Sequence, residues 1–144
     1  MKGVKPPSDT ATPVPGAPAG GAIESMSAST VARGTIWVGT NNGLIKVTKD
    51  EGKTWEDATI PNLPYPTRAL IEMVDASHVD AGAAYAAVNL GRTGDYTPYL
   101  FRTRDYGKTW TRITNGLPVN QPGGSHARVI RADLIVEGAA EIVT

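Results

Sequence analysis

One phrase is written twice in this chain. Thr48-Lys49-Asp50-Glu51-Gly52-Lys53-Thr54-Trp55 returns 55 residues later as Thr103-Arg104-Asp105-Tyr106-Gly107-Lys108-Thr109-Trp110, identical at six of eight positions. A period of that size is the length of one supersecondary unit in a repeat protein, and such a unit buries its apolar face only against a neighbour. Each copy sits between strand-like runs. Leu44–Val47 precedes the first and Tyr99–Arg102 the second, and a second run resumes at each tryptophan. Asp-x-Gly between two such runs reads as a β-hairpin turn. Gly52 and Gly107 supply the positive φ that closes it. Asp50 and Asp105 accept backbone N–H groups of their own turn. Trp55 and Trp110 are large apolar anchors placed to pack between neighbouring sheets.

The repeat runs beyond the phrase. Ile23-Glu24 matches Ile71-Glu72, Ala28-Ser29 matches Ala76-Ser77, Val31 matches Val79 and Gly34 matches Gly82, all at an offset of 48; Trp37 then falls on Tyr85. The change of offset from 48 to 55 is absorbed by an insertion of about seven residues within Asn89–Pro98. The first unit is expected to run Ile23–Met26, Gly34–Gly39, Leu44–Val47 and Trp55–Ile60. The second follows as Thr67–Val74, Ala83–Val88, Tyr99–Arg102 and Thr109–Ile113. Ala127–Arg131 and Gly138–Val143 read as the first two strands of a third, with Glu141 where Trp37 and Tyr85 stand.

Composition narrows the function classes. The 144 residues carry 14 basic and 14 acidic side chains, which leaves no electrostatic footprint for nucleic acid or an acidic membrane. No apolar run approaches the length of a transmembrane helix. Cysteine is absent, which excludes disulfides and thiol chemistry and disfavours structural zinc. Sixteen glycines and 11 prolines with little helical periodicity point to an all-β chain rich in turns.

The pattern Ser/Thr-x-Asp-x-Gly-x-Thr-Trp resembles the Asp-box, or BNR, repeat. That repeat occurs in sialidases, sortilin-type receptors, xyloglucan-cleaving glycoside hydrolases and glycosyl hydrolase-like bacterial proteins. The resemblance implies a β-propeller with the box on the turn between the third and fourth strands of each blade. It also implies a structural role for Asp50, Gly52, Trp55, Asp105, Gly107 and Trp110, because family boxes lie at the rim, away from the active site. The expected architecture is all-β, a β-propeller segment of about two and a half four-stranded antiparallel blades. Residues 1–21 read as a flexible Pro-rich tail and 22–144 as the propeller segment, with blade one at 22–60, blade two at 67–115 and a partial blade three at 126–144. Open blade edges imply a homo-oligomer, as a dimer or as three chains closing a ring.

Innermost strands of such blades line a central channel. Glu24 and Glu72 occupy equivalent positions there, with Arg131 roughly in the same place in the third blade. Paired carboxylates divide acid and base or nucleophile roles in glycoside cleavage, or hold Ca²⁺; as plain channel lining they need neither role. Arg68 and Arg128 stand before first strands, where sialidases resemble this in clamping a carboxylate with arginines; the sialidase Tyr–Glu nucleophile pair has no counterpart. The insertion, with Asp95 and Tyr96, is a long loop on a rigid sheet, a common carrier of binding. His78 and His126 form no metal-binding motif, and Ser125 lacks a nucleophile elbow. Two function classes follow. One is a glycosyl hydrolase-like enzyme with channel carboxylates completed by oligomerisation, or in a variant a Ca²⁺-assisted ester or lactone hydrolase. The other is a non-catalytic glycan- or protein-binding and assembly module; the ligand expected in either class is a small molecule or a glycan. No partner among nucleic acids or membranes is expected, and no export signal is visible, as in a soluble cytoplasmic protein or a fragment of an exported one.

Overall fold

The computed structural model describes residues 21–117, 127–133 and 140–143. Residues 1–20 of the expected tail, Ser125 and His126 lie outside them. The strands are β1 (Ile23–Ala28), β2 (Ile36–Thr40), β3 (Ile45–Thr48), β4 (Glu56–Asp57), β5 (Leu70–Ala76), β6 (Ala84–Asn89), β7 (Tyr99–Thr103), β8 (Thr111–Arg112), β9 (Val129–Ala132) and β10 (Ala140–Val143). They form two four-stranded antiparallel sheets, β1-β2-β3-β4 and β5-β6-β7-β8, and a β9-β10 pair.

Several strands differ in extent from the sequence expectation. The fourth strands shrink to two residues each. In the first sheet Asp57 ends the strand by turning back, its Oδ1 accepting from the Thr59 N–H at 3.1 Å and hydroxyl at 2.6 Å. The start of the second sheet is delayed to Leu70 because Pro66–Arg68 forms a 3₁₀ turn. Pro64 and Pro66, on either side of Tyr65, keep this backbone out of the ladder.

Sheets pack face to face in chain order. Alternation assigns each face: in β6, Ala84, Ala86 and Val88 join the core shared with the first sheet, while Tyr85 and Ala87 join the core shared with β9. Small residues let the sheets approach. A Cβ on Gly39 would run into the Ile71 side chain. The first interface centres on Trp37, fully buried, stacked on Tyr106 at 6.5 Å and edge-on to Trp110 at 6.4 Å. Its indole Nε1 has no hydrogen-bond partner among the described residues. Lys49 Nζ lies 4.2 Å over the Tyr106 ring.

Inner strands are also stitched by side chains. Ser25 Oγ accepts the Val74 N–H at 3.1 Å, and Ser27 Oγ accepts the Ala76 N–H at 3.0 Å while donating to Asp75 Oδ1 at 3.2 Å. Asp75 then repeats the role of Ser27 one sheet on, its Oδ2 accepting the Ala132 N–H at 2.8 Å. One carboxylate thus ties β1, β5 and β9. The serine and aspartate bonds satisfy backbone groups that face a neighbouring sheet rather than a ladder.

Candidate functional site

The insertion folds into a braced loop. Gly91–Thr93 is a 3₁₀ turn, opened by Asn89 Oδ1 accepting the Gly91 N–H at 2.7 Å. Asp95 sits below it, its Oδ1 accepting from the Thr97 N–H at 2.9 Å and its Oδ2 from the Tyr99 hydroxyl at 2.7 Å. Burial pulls the Asp95 carboxyl upward, but hydrogen bonds from Thr97 and Tyr99 and the nearby Arg112 hold it below the usual range on balance. Burial and the same Asp95 bond raise the Tyr99 phenol. The Arg112 guanidinium lies 4.5 Å over the Tyr99 ring and donates to the Pro98 carbonyl at 3.2 Å. Asp95, one of the expected binding residues, therefore braces the loop from the sheet side.

Arg92 and Tyr96 are the exposed side chains of this loop. With Leu70, Asn89 and Gly91 they line a cavity of about 330 Å³. Leu70 supplies an apolar floor, Asn89 an amide, Arg92 a cation and Tyr96 an amphipathic ring, a lining suited to a ligand with an apolar body and an anionic or hydrogen-bonding end. Asn89 Nδ2 also donates to Glu72 Oε2 at 3.1 Å, which places that carboxylate beside the cavity.

Glu24 and Glu72 fall at the same structural position. Each sits at a register shift in its inner strand, between Ile23 and Ser25 in β1 and between Ile71 and Met73 in β5. A bulge re-aims a side chain. Glu24 is exposed. Arg131 does not join them. It pairs with Glu141 as Ser27 pairs with Trp37 and Asp75 with Tyr85, so it stands three residues beyond the expected place. Counting back along β9 from that register puts Arg128 where Glu72 stands. Arg68, exposed, lies in the 3₁₀ turn outside the cavity lining. Among the described residues no group of three or more His, Cys, Asp or Glu side chains comes together, so they offer Ca²⁺ no such ligand set. No helix among them is long and apolar enough to cross a membrane.

The two repeated turns are closed internally. Thr48 Oγ1 accepts the Gly52 N–H at 2.9 Å and donates to Asp50 Oδ1 at 2.7 Å, and Asp50 in turn accepts the Thr54 N–H at 2.8 Å and hydroxyl at 2.6 Å. Thr103, Asp105, Gly107 and Thr109 repeat every one of these bonds. The Thr54 hydroxyl, foremost among these donors, holds Asp50 down at about 2, and Thr109 lowers Asp105 in the same way. Both oxygens of each carboxylate accept from their own turn, so these carboxylates serve the turn.

Sequence reasoning missed Asn89 and the Ser27–Asp75 stitch. The second had a visible signal, the polar pair Ser27 and Asp75 at the repeat's own offset of 48.

The same architecture occurs in solved proteins. YCF48 bound to a D1 peptide superposes with a TM-score of 0.62 at 23% identity, covering 88% of this chain and 36% of that one. YCF48 from Cyanidioschyzon merolae gives 0.56 at 22% identity, covering 88% and 32%. This chain is a partial β-propeller. Its sheets are blades, and the segment spans about a third of the length of the YCF48 chains. The GH74 enzyme of Niastella koreensis is similar over 83% of the segment and 14% of its own chain, at 14% identity and a TM-score of 0.52. No protein-family model and no curated protein matches the sequence.

Proposed function

We propose that this propeller segment is a non-catalytic binding module of Asp-box type that holds a peptide segment of a partner protein at the insertion loop of blade two. The observation that carries the reading is the cavity bounded by Leu70, Asn89, Gly91, Arg92 and Tyr96. Its loop is braced from beneath by Asp95, Tyr99 and Arg112, so little ordering cost falls on binding. One similar structure, YCF48, is a peptide complex. A peptide backbone offers carbonyls to Arg92 and Asn89 and side chains to Leu70 and Tyr96.

The hydrolase reading keeps one specific support. Glu72 touches Asn89 and so lies within reach of the same cavity, and a glycoside hydrolase shares the fold. Ester or lactone hydrolysis with Ca²⁺ is a variant of that reading. The test uses the full chain on an array of immobilised synthetic peptides, beside turnover assays with aryl glycosides and aryl esters, with and without Ca²⁺. The binding reading expects peptide capture that falls at least about tenfold in Arg92→Ala and Tyr96→Ala and survives Glu72→Gln. Turnover abolished by Glu72→Gln would overturn it.

A further inference from the structure

Blade one turns one face away from blade two, and that face is built like the interface inside the chain. Across the internal interface blade two presents Ile71, Val74 and Trp110. Ile71 and Val74 are 0% and 1% exposed, and Trp110 donates its Nε1–H to the Ala58 carbonyl at 2.8 Å. The same positions of blade one, by strand register and by the repeated phrase, are Ile23, Met26 and Trp55. Their exposures are 63%, 68% and 45%. Among the described residues these three large apolar side chains stand exposed at matched positions of blade one, Ile23 and Met26 on its first strand and Trp55 just before its fourth.

We infer that this face is a self-association surface, on which a second copy of the chain docks by its third blade, head to tail. The occupant follows from three observations. The internal joint between blades one and two shows that one blade's leading face fits the trailing face of the blade before it. In this chain β9 is the last described inner strand: Ile130 and Ala132 are buried against blade two, and Val129 and Arg131 alternate to the other side, with Arg131 exposed. Charge is complementary, since exposed Glu24 borders the leading face while exposed Arg131 lies on the trailing one. Continuing the blade order across the joint sets Ile23 and Met26 against Val129. A head-to-tail joint of this kind closes into a ring when the rotation permits. The segment covers 36% of the YCF48 chain it superposes on, so about three copies match the length of that chain.

Light scattering on a size-exclusion column tests this with the full chain. Expected is an oligomer of about three copies that dissociates at least about tenfold more readily in Trp55→Ala and in Met26→Asp. Neither side chain is buried in the single chain, so both variants keep their fold, which circular dichroism checks. The sharper arm mixes two blocked variants. Met26→Asp carries a damaged leading face and Arg131→Asp a damaged trailing face, so each is monomeric alone and the mixture stops at a one-to-one pair. A wild-type chain that stays monomeric to high concentration overturns the proposal. So does an oligomer that Met26→Asp leaves intact, or a mixture that grows past a pair.

Discussion

The first and second repeated turns share every internal hydrogen bond, and they differ in what lies outside them. Around the second turn, Tyr106 stacks on Trp37, Trp110 reaches the Ala58 carbonyl, and a Cβ on Gly107 would run into Ala58. Around the first, Glu51 replaces the tyrosine and forms an ion pair with Arg33 at 3.5 Å, both side chains well exposed. Trp55 stands 45% exposed, and a Cβ on Gly52 would meet nothing nearer than Trp55 Cζ2 at 3.8 Å. The turn is therefore a self-contained hydrogen-bonded unit. The anchors that surround it contribute stability only where a neighbouring blade receives them. An exposed ion pair of the Arg33–Glu51 kind adds little.

The widest gap is expected between the tryptophans. Trp37→Ala removes the centre of the interface and costs about 3–5 kcal/mol in urea unfolding, with Trp110→Ala near the lower end. Trp55→Ala, measured in the dissociated chain, costs less than about 1 kcal/mol. Equal losses at 55 and 110 would break the comparison.

The glycines give the next contrast. Both sit at positive φ, 90° at Gly52 and 80° at Gly107. Gly52→Ala costs about 1–2 kcal/mol for the left-handed backbone alone. Gly107→Ala adds overpacking against Ala58, a further 1–3 kcal/mol or so. Thermal melts of the two variants report the difference. A third, smaller effect belongs to the stitch. Asp75→Ala leaves the Ala132 N–H without its acceptor and costs about 1–3 kcal/mol, whereas Ser27→Ala, at the other joint, costs nearer 1.

Acid is expected to act on both turns alike. The folded Asp50 pKa is about 2 against an ordinary 3.8, so the unfolded chain binds more protons between those values and stability rises with pH there. The turn's contribution is fully present above pH 3.8 and fades as pH falls through about 2. Asp105 is lowered in the same direction. Denaturation midpoints followed from pH 5 to pH 2 should drop in the wild type and drop less in Asp50→Asn and Asp105→Asn. A different acid response at the two turns would show that the neighbouring blade reaches into the turn itself.

Much of the blade pattern was legible in the residues. The phrase at 48–55 and 103–110 placed two hairpins, and the matched Ile23-Glu24 and Ile71-Glu72 placed two inner strands at equivalent positions. Turn chemistry is local, so it survives in a short motif. What a single sequence hides is register and neighbourhood. Arg131 slid three residues from its expected place because only backbone pairing fixes which residues of β9 and β10 face each other. Glu51 and Tyr106 both take positive φ beside their glycines, which side-chain identity does not announce. Trp55 and Trp110 read identically, and nothing in the phrase says which one has a blade to lean on. The cavity was half visible: the insertion drew attention to Asp95 and Tyr96, but Asp95 turned inward and Arg92 took the outer position.

The claim beneath all of this is that an identical turn is buried or bare according to its neighbour. Indole N–H exchange in ¹⁵N-tryptophan-labelled protein tests it most directly, on the Met26→Asp chain so that no second copy covers the first turn. Assignment comes from single Trp→Phe variants. The structure predicts a Trp110 indole proton protected from solvent by the Ala58 carbonyl and a Trp55 indole proton exchanging freely. Equal exchange at Trp55 and Trp110 would contradict the packing of blade two on blade one, and with it the account of the repeat.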